Sequence, residues 1–314
     1  MNSTLKADMC AQATQFEHFT QCPVCSSTDI QPYRPSTFEI AHLSEEQIKI
    51  TDSEYGKIWD LSRCPRCSHI FANPAPSQDF IQTLYSRIED PPYEEEAGGR
   101  GKNFKRILSR LGRIQPEKGI LFDVGAATGI LLDLARQQGW QIDGIEPSAW
   151  AVGVAKKKYG IDLNEGNFES ARLKDNHYTA VTLIDFIEHI SHPVEALVKT
   201  NTILTPGGTV CLVTPDIESL AVKITGAKWW HFRPGHLAYF TKQSLHRLLE
   251  RTGFSIVKIK RYSWTFSAHY LLSRKSGFEC LIRNPALASF WKKIPIKLAL
   301  GDSFEIYANK EHHR

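Results

Sequence analysis

The stretch from Gly119 to Glu146 constrains the fold of this 314-residue chain more than any other. Its first segment, Ile120 to Val124, is a short apolar run that is typical of a strand buried on both faces of a parallel sheet. A turn bracketed by Gly125 and Gly129 follows, then an amphipathic helix, and then a second strand that ends at Glu146. This order of strand, turn, helix and strand predicts an α/β fold built on a parallel sheet.

The same stretch predicts a binding site for a cofactor that carries a nucleoside. Gly125 and Gly129 have no Cβ, so the backbone of the turn can approach a ligand closely. Glu146 lies 23 positions after Asp123, at a strand end where a carboxylate can accept hydrogen bonds from both hydroxyls of a ribose. The turn has one glycine fewer than a dinucleotide-binding loop and an acid just before it, so a cofactor without a pyrophosphate is favoured.

Length and composition limit the remaining choices. A chain of 314 residues with 42% hydrophobic content allows about two domains, or one large domain with an appendage. The net charge of +4 is too small to argue for nucleic acid on its own. The polar N-terminus is not a secretory signal, and no apolar run approaches the ~20 residues of a membrane span. We therefore expect a cytoplasmic protein.

Two Cys-x-x-Cys pairs predict a structural zinc site near the N-terminus. Cys22 and Cys25 form the first pair, and Cys64 and Cys67 form the second. Four thiolates satisfy a tetrahedral zinc ion, although His69 could replace one ligand, and redox-active or unligated thiols remain the alternative. The other cysteines are interpreted as ordinary apolar or free thiols: Cys10, Cys211 and Cys280.

The order of motifs resembles class I S-adenosylmethionine-dependent methyltransferases over residues 119–260. The glycine turn matches their first motif, while Glu188-His189-Ile190-x-x-Pro193 and Pro206-Gly-Gly208 match later steps. The front of the chain, with its cysteine pairs and the stretch from His69 to Pro76, resembles bacterial zinc-ribbon methyltransferases that act on saccharides and secondary metabolites.

The resemblance implies a Rossmann-like α/β domain, in which helices cover both faces of a seven-stranded, mostly parallel sheet, with a small N-terminal zinc ribbon added. The expected divisions are a flexible N-terminus (1–20), a zinc-ribbon module (21–76), a helical linker or lid (77–115) and a methyltransferase domain (116–314), with an acceptor-site insert at about 225–241 and a helical cover at about 263–300. The last strand, over 301–310, is expected to be antiparallel.

The resemblance also assigns residues to the cofactor, S-adenosylmethionine. They are Asp123, Gly125, Ala126, Gly129, Glu146, Pro147, Asn167, Phe168 and Asp185. Asn167 stands where the family often has an acid that accepts from the adenine amine, and its carbonyl oxygen can still accept.

Histidines and aromatic residues crowd the segment from Ala227 to Thr241, which in this fold lies over the edge where acceptors bind. His236 is the first candidate for a general base and His189 the second, because an unperturbed imidazole pKa of about 6.5 suits removal of a hydroxyl proton near neutrality. The weaker candidates for acceptor contacts are Trp230, His231, Arg233, Tyr239 and His192. We predict O-methylation of a hydroxylated small molecule or saccharide, by a monomer or a homodimer.

Several alternatives remain open on sequence grounds. The acceptor atom could be nitrogen, the zinc ribbon and the basic run over 102–110 could bind RNA for base methylation, or the chain could bind the cofactor without catalysis. A divalent ion held by Asp185, Glu188 and His189 is a further, weaker hypothesis, because ubiquinone-pathway O-methyltransferases hold an ion in a similar motif. We interpret Asp90-Pro-Pro-Tyr93 as a linker turn or lid, because this box of base amino-methyltransferases would fit here only in a permuted chain. Sugar C-methylation fits poorly, because Gly235 stands where those enzymes have an acid.

Overall fold

The computed structural model of the protein describes residues 16–39, 43, 45–51, 55–274 and 282–311. The interpretations of Cys10 and Cys280 fall outside these residues, whereas Cys211 is a free, buried thiol. Among the described helices, none has the length and apolarity needed to cross a bilayer.

The elements alternate between strands and helices along most of the chain. The strands are β1 (Phe16–Glu17), β2 (Gln31–Arg34), β3 (Leu61–Arg63), β4 (Ile70–Ala72), β5 (Ala75–Pro76), β6 (Ile120–Val124), β7 (Gln141–Glu146), β8 (Asn164–Glu165), β9 (Tyr178–Ile184), β10 (Leu204–Pro215), β11 (Ala238–Tyr239), β12 (Phe254–Arg261), β13 (Trp264–Ser267), β14 (Pro295–Leu298) and β15 (Ser303–Lys310). The α-helices are α1 (Glu45–Ile48), α2 (Gln78–Ser86), α3 (Pro91–Glu95), α4 (Ala97–Ile114), α5 (Ile130–Gln137), α6 (Ala149–Val154), α7 (Pro193–Ile203), α8 (Leu220–Thr225), α9 (Lys242–Arg251), α10 (Ala268–Ser273) and α11 (Pro285–Lys293). A π-helical turn, Ala155–Tyr159, continues α6, and 3-10 turns cover Ile187–His189 and Gly226–Lys228.

The main sheet has seven strands in the order β12-β15-β10-β9-β6-β7-β8. Only β15 runs antiparallel to its neighbours β10 and β12. The central pairs, β10 with β9, β9 with β6 and β6 with β7, are parallel. The predicted fold class is therefore confirmed, including the antiparallel closing strand.

Alternating side chains of the central strands fill two separate cores, one on each face of the sheet. Phe122 and Leu212 point to the face covered by α7 and α9, where Leu197 and Leu245 pack. The other face holds Leu121, Cys211 and Tyr307, covered by apolar residues of α4 and α5, which include Ile107, Leu108, Leu111 and Leu131. Burial on both faces explains why β6 and β9 read as nearly continuous apolar runs.

Two strand boundaries differ from those that the sequence predicts. The stretch Ile161-Asp-Leu-Asn164 predicts a third strand, but only β8 forms, because pairing with β7 begins at Asn164 while Ile161 packs into the core. The sequence also predicts a turn at Pro206-Gly-Gly208 and a strand from Thr209 to Thr214, but β10 begins at Leu204, which pairs with Tyr178 before the ladder resumes at Thr209. The Pro-Gly-Gly stretch is therefore an irregularity inside β10.

The N-terminal segment and the predicted acceptor-site insert share one small sheet. Its order is β11-β4-β3-β2, so a strand of the 225–241 segment extends a sheet made by residues 31–72. Ala238 pairs with Phe71, and the indole N–H of Trp59 donates to the carbonyl of Pro234 at 2.7 Å. The division into separate domains stays a prediction, but these contacts tie the insert to the cysteine-rich segment.

Two of the predicted segments contain strands. Within the predicted flexible N-terminus (1–20), β1 pairs with β5. Within the predicted helical cover (263–300), β13, α10, α11 and β14 form an appendage in which β13 packs on α4 and pairs with β14. Its role as a cover of the acceptor pocket stays a prediction.

Candidate active site

A cleft opens at the carboxyl ends of β6, β7 and β9, where a doubly wound sheet places its ligands. It contains about 1000 Å³ of space, part of it open to solvent. Six of the predicted cofactor residues are in its wall: Gly125, Glu146, Pro147, Asn167, Phe168 and Asp185. His189 is also in the wall, so the cleft joins the predicted cofactor residues to one of the two predicted bases.

The glycine turn that begins the cleft needs glycine for its backbone shape. Gly125 has φ +68° and Gly129 has φ +80°, both in the left-handed region. The amides of Gly125 and Ala126 both donate to the carbonyl of Ile145 at 3.0 Å, which fixes the turn against β7. A Cβ on Gly129 would lie 3.2 Å from the Cβ of Ala155, so this glycine also lets α5 approach the helix that follows β7. Neither Ala126 nor Gly129 is in the cleft wall.

Glu146 ends β7 with its carboxylate held by the turn itself. Its two oxygens accept from the amides of Ala127 at 2.8 Å and Ser148 at 2.9 Å. Burial raises the pKa of this carboxyl to about 7, against the lowering effect of both amides. Each oxygen keeps a further lone pair, so a diol in the cleft can still donate to this carboxylate.

Asp123 is buried and does not line the cleft. The hydroxyl of Thr182 donates to its Oδ1 at 2.5 Å, and burial raises the pKa of Asp123 to about 7. Its side chain therefore crosses between β6 and β9 beneath the turn. Its predicted contact with the cofactor stays a prediction.

Asp185 follows β9 with an unusual backbone conformation, φ +50°, which aspartate tolerates better than most residues. Burial raises the pKa of its carboxyl to about 7, opposed by the charges of Arg100 and Arg233. Arg100 itself stacks over the ring of Tyr93, another residue of the cleft wall, at 3.7 Å.

His189 presents one defined tautomer to the cleft. Its Nδ1 lies 2.8 Å from the carbonyl oxygen of Gly235 and 2.6 Å from the hydroxyl of Tyr85. A carbonyl can only accept, so Nδ1 carries the ring proton and Nε2 keeps a free lone pair. Burial is the main cause that lowers the pKa of His189 to about 4, so the ring is neutral at pH 7.

His236, the first candidate base, lies behind His189 and is not in the cleft wall. The two rings meet edge to face with centroids 4.7 Å apart, and His231 stacks on the other side of His236 at 5.8 Å. Burial and the neighbouring His189 lower the pKa of His236 well below its usual value. His231 in turn places Nε2 3.4 Å from the carboxylate of the buried Asp302.

The structure does not bring together the three residues predicted to hold a divalent ion, Asp185, Glu188 and His189. In the described part of the chain, the acidic and imidazole ligand atoms that lie within 4.8 Å of one another belong to Glu188, His189 and His236, and Asp185 is outside this group. Asp185 lines the cleft, whereas Glu188 is buried and accepts from the hydroxyl of Thr214 at 3.0 Å.

The predicted acceptor contacts are not gathered in the cleft. None of the following is in the cleft wall as described: Trp230, His231, Arg233, Tyr239 and His192. Arg233 donates to the carbonyls of Lys49 and Ile50, and His192 bonds Glu17 at 2.7 Å. Their roles toward an acceptor stay predictions.

Most residues in the outer wall of the cleft are not among the site residues that the sequence predicts. This wall comes from the N-terminal half of the chain and is mainly apolar: Ile48, Ile50, Ile81, Tyr85 and Ile88, with Trp150 opposite. Ile81 and Tyr85 are four residues apart on α2, so one helical turn brings both to the same face. This spacing predicts that the two side chains share one face of the helix, but it does not indicate that the helix lies over the cleft.

The four cysteines of the two pairs come together as the spacing predicts. Their Sγ atoms all lie within 4.8 Å of one another, with Cys22 and Cys67 3.6 Å apart and Cys25 and Cys64 3.5 Å apart. Tetrahedral zinc with bonds of about 2.3 Å holds its sulfurs about 3.8 Å apart, so the donor set fits this ion. The Cys67 thiol lowers the pKa of Cys22 to about 6 while Cys22 raises that of Cys67, so at neutral pH this pair shares one proton. His69 is outside the group and stacks on Phe71.

The sheet order, the glycine turn and the carboxylate at the end of β7 define a Rossmann-like S-adenosylmethionine-dependent methyltransferase. A family model described as a methyltransferase domain matches residues 97–259, more than half of the chain, and the chain belongs to this family.

Known relatives share part of the chain. A ubiquinone biosynthesis O-methyltransferase of Cereibacter sphaeroides is 25% identical over 176 residues, which are 50% of this chain and 71% of the relative. Another of that name, from Aeromonas salmonicida, is 29% identical over 133 residues, 38% of this chain and 56% of the relative. A solved S-adenosylmethionine-dependent methyltransferase of Archaeoglobus fulgidus matches with a TM-score of 0.48 and 19% identity, and the match covers 70% of this chain and 100% of that one.

Proposed function

We propose that this enzyme transfers the methyl group of S-adenosylmethionine to a hydroxyl group of an apolar small molecule, with His189 accepting the proton. The observation that carries the proposal is the fixed tautomer of His189 in the cleft wall. A hydroxyl acceptor requires a base, and an imidazole with a free Nε2 lone pair supplies one.

The tautomer is maintained by two contacts on one nitrogen of the ring. Gly235 and Tyr85 both contact Nδ1, so the basic nitrogen is Nε2. Because burial keeps the ring neutral at pH 7, every molecule of enzyme has this nitrogen available. His236 lies behind His189, so we assign it to support of the ring rather than to proton transfer.

The cofactor supplies a methyl group that its sulfonium already activates. We expect Glu146 to accept from the ribose hydroxyls and Asn167 and Phe168 to contact the adenine. The fit is supported by the free lone pairs of the buried Glu146 carboxylate and by the open space at Gly125, where the nearest atom to an added Cβ is a ring carbon of Phe186 at 3.8 Å. The remaining task of the protein is to align the acceptor oxygen with the methyl carbon.

The acceptor is expected to be apolar, because the outer wall offers few hydrogen-bonding groups. Ile48, Ile81, Ile88 and Ile190 are aliphatic, and the polar side chains there are mainly Gln78 and Gln82 on α2. A saccharide would leave many hydroxyls without partners in such a wall, at a cost for each unpaired group. The names of the two relatives above, both O-methyltransferases, support oxygen over nitrogen as the acceptor atom.

The cysteine cluster is proposed to hold zinc in a structural role. Four thiolates leave no open position for a substrate, as in closed structural sites. The buried cysteines pack with Phe71 and Phe240 in the core beneath the main sheet, so metal binding would stabilise the part of the fold that carries Gly235.

RNA methylation is less well supported by the basic run over 102–110. Arg106 donates to Asn103, Thr265 and the carbonyl of Ser263, and one nitrogen of Arg110 donates to both carboxylate oxygens of the buried Glu305. These arginines therefore serve contacts within the chain, and they are not available for phosphates.

The test is incubation of the enzyme with methyl-labelled cofactor and an apolar metabolite extract, followed by mass spectrometry of labelled products. We expect label on an oxygen of an apolar compound. His189→Asn keeps an amide that can donate to Gly235 but has no basic nitrogen, so it should lower kcat about a hundredfold or more while cofactor affinity is retained. His246→Ala, on the exposed face of α9, is the matched control and should leave kcat unchanged. Full turnover by His189→Asn, or label found only on nitrogen, would overturn the proposal.

A further inference from the structure

The stretch over 283–300, with α11 and β14, presents a surface that the catalytic reaction does not use, and we refer to it as the appendage face. Its exposed large apolar side chains are Leu287 (41% exposed), Phe290 (54%), Ile296 (37%) and Leu300 (44%). Its cations are Arg283, Lys292, Lys293 and Lys297. The sequence from 282 to 300 contains no acidic residue, so the face is both apolar and strongly positive.

Three large apolar side chains of α11 lie at helical spacing, yet none of them is fully buried. Phe290 and Trp291 lie three and four residues after Leu287 and form one stripe with it, in which Trp291 is half-buried. In a globular protein such a stripe normally packs on a core, and clustered exposed apolar residues mark an interaction site. None of the residues that line the cleft comes from this stretch, so the stripe is not explained by acceptor binding.

The cations around the stripe are mostly available to a partner. Lys292 forms an ion pair with Glu95 of α3 at 3.2 Å. Arg283, Lys293 and Lys297 have no acidic partner among the residues that the structure describes. The free charge of the face is therefore about three positive units beside exposed phenyl and aliphatic groups.

We propose that the appendage face binds the surface of an anionic lipid bilayer. A short amphipathic helix with Phe and Leu on one side and lysines at its border lies in the plane of the interface, with its apolar side chains below the headgroups. Lysine stems can lie along the apolar region while their ammonium groups reach the phosphates. Anionic headgroups complement the charge of the face and the acyl region complements its apolar stripe.

A second copy of the chain complements this face less well. A symmetric dimer through the appendage face would place the same four cations against themselves, with no acid within the face to neutralise them. An anionic bilayer has no such conflict.

The face is attached to the part of the molecule that closes the cleft. Asn103 of α4 bonds the backbone of Thr265 in β13, and Glu96 bonds Ser267 at the end of the same strand. Lys292 contacts α3, whose Tyr93 is in the cleft wall. Bilayer binding would therefore hold the enzyme with α3 near the lipid surface. The inference depends on the surface alone and does not require the proposed acceptor.

The experiment is co-sedimentation of the purified full chain with vesicles of phosphatidylglycerol and phosphatidylcholine in equal amounts, compared with vesicles of phosphatidylcholine alone. We expect binding to the anionic vesicles that weakens as salt is raised. Lys293→Gln and Lys297→Gln should each lower the partition coefficient about fivefold. Phe290→Ala should lower it about tenfold, because an inserted phenyl ring is lost.

Ile224→Ala is the matched control, because Ile224 is also a large exposed apolar residue (74% exposed) but lies on α8. It should leave vesicle binding unchanged, and the melting temperatures of all variants should stay close to that of the parent protein. Equal sedimentation with both kinds of vesicle, or an equal loss with Ile224→Ala, would overturn the proposal. So would light scattering that shows a dimer which Phe290→Ala dissociates, because the face would then join two copies.

Discussion

The carboxylate of Glu94 accepts a hydrogen bond from the hydroxyl of Thr128 at 2.5 Å, and this contact joins helix α3 to the glycine turn. The same carboxylate accepts from the hydroxyl of Tyr159 at 2.7 Å and pairs with Lys158. Asp90, at the start of α3, accepts from the backbone amide of Thr51 at 3.0 Å. The segment predicted as a linker turn or lid is therefore fixed on both sides, to the glycine turn and to the N-terminal wall of the cleft.

Thr128→Val should weaken this closure without changing the size of the side chain. Because Thr128 is fully buried, the variant leaves a Glu94 oxygen with one partner fewer, and the free energy of unfolding should fall by about 1–3 kcal/mol. Cofactor dissociation should also become faster, since α3 is released from the turn. Urea unfolding and stopped-flow release of the cofactor measure the two effects. Thr83→Val is the control, because that hydroxyl bonds only a carbonyl of its own helix on an exposed surface. Equal effects of both variants would contradict the role of the contact.

Glu146 should make cofactor-free stability depend on pH. Its pKa is raised to about 7 by burial, above the value of about 4.3 for an unfolded chain. Between these values the folded protein binds more protons than the unfolded one, so stability is greatest below the unfolded pKa and falls as pH rises through about 7. Asp123 and Asp185, each with a pKa of about 7, act in the same direction. We expect the melting temperature without cofactor to be lower at about pH 8 than at about pH 5.

Glu146→Gln isolates the contribution of this one carboxyl. It should flatten part of the pH dependence and weaken cofactor binding about tenfold or more, because a carboxylate that accepts from a diol is lost. Calorimetric titration with S-adenosylmethionine and thermal melts across pH give both quantities. Glu165→Gln, at the exposed end of β8, should change neither. An unaltered pH dependence in Glu146→Gln would show that the buried carboxyl is not the titrating group.

Gly235→Ala should impair turnover more than folding. An added Cβ would lie 3.2 Å from the hydroxyl of Tyr85, which must then move by a few tenths of an ångström and change its contact with Nδ1 of His189. Such a shift misaligns the basic nitrogen, and we expect kcat to fall about tenfold while cofactor affinity is kept. Gly112→Ala, in α4 where only the end of Lys118 is near, is the control and should leave kcat unchanged. Normal turnover by Gly235→Ala would argue against the need for a fixed His189.

The sequence predicted the features that depend on neighbours along the chain. The glycine turn, the carboxylate at the end of β7 and the alternation of strands and helices are local patterns, and each is present in the structure. The meeting of Cys22 with Cys67 was also predictable, because four thiols with paired spacing have a common reason to gather at a metal.

The unpredicted features depend on contacts between distant segments. Ile81 and Tyr85 reach the cleft only because the N-terminal sheet is completed by β11, about 170 residues later in the chain. No pattern in the sequence of a two-residue strand such as Ala238–Tyr239 specifies its partner. The position of β11 also explains why His236 lies behind His189 rather than in the cleft wall. The carbonyl of the next residue, Leu237, accepts from the amide of Ala72, and its amide donates to the carbonyl of Glu188.

Removal of metal from the cysteine cluster should reach the active site through this shared sheet. Cys64→Ser should lose the bound metal, lower the melting temperature and lower kcat, because β4 supports β11 and Trp59, two residues before β3, bonds Pro234 next to Gly235. Mass spectrometry of the native protein should show about one zinc ion per chain. Cys211→Ala removes a buried thiol outside the cluster, so it should keep the metal and most of the activity. If Cys64→Ser loses zinc but keeps its melting temperature and kcat, the cysteine cluster does not support the catalytic segment.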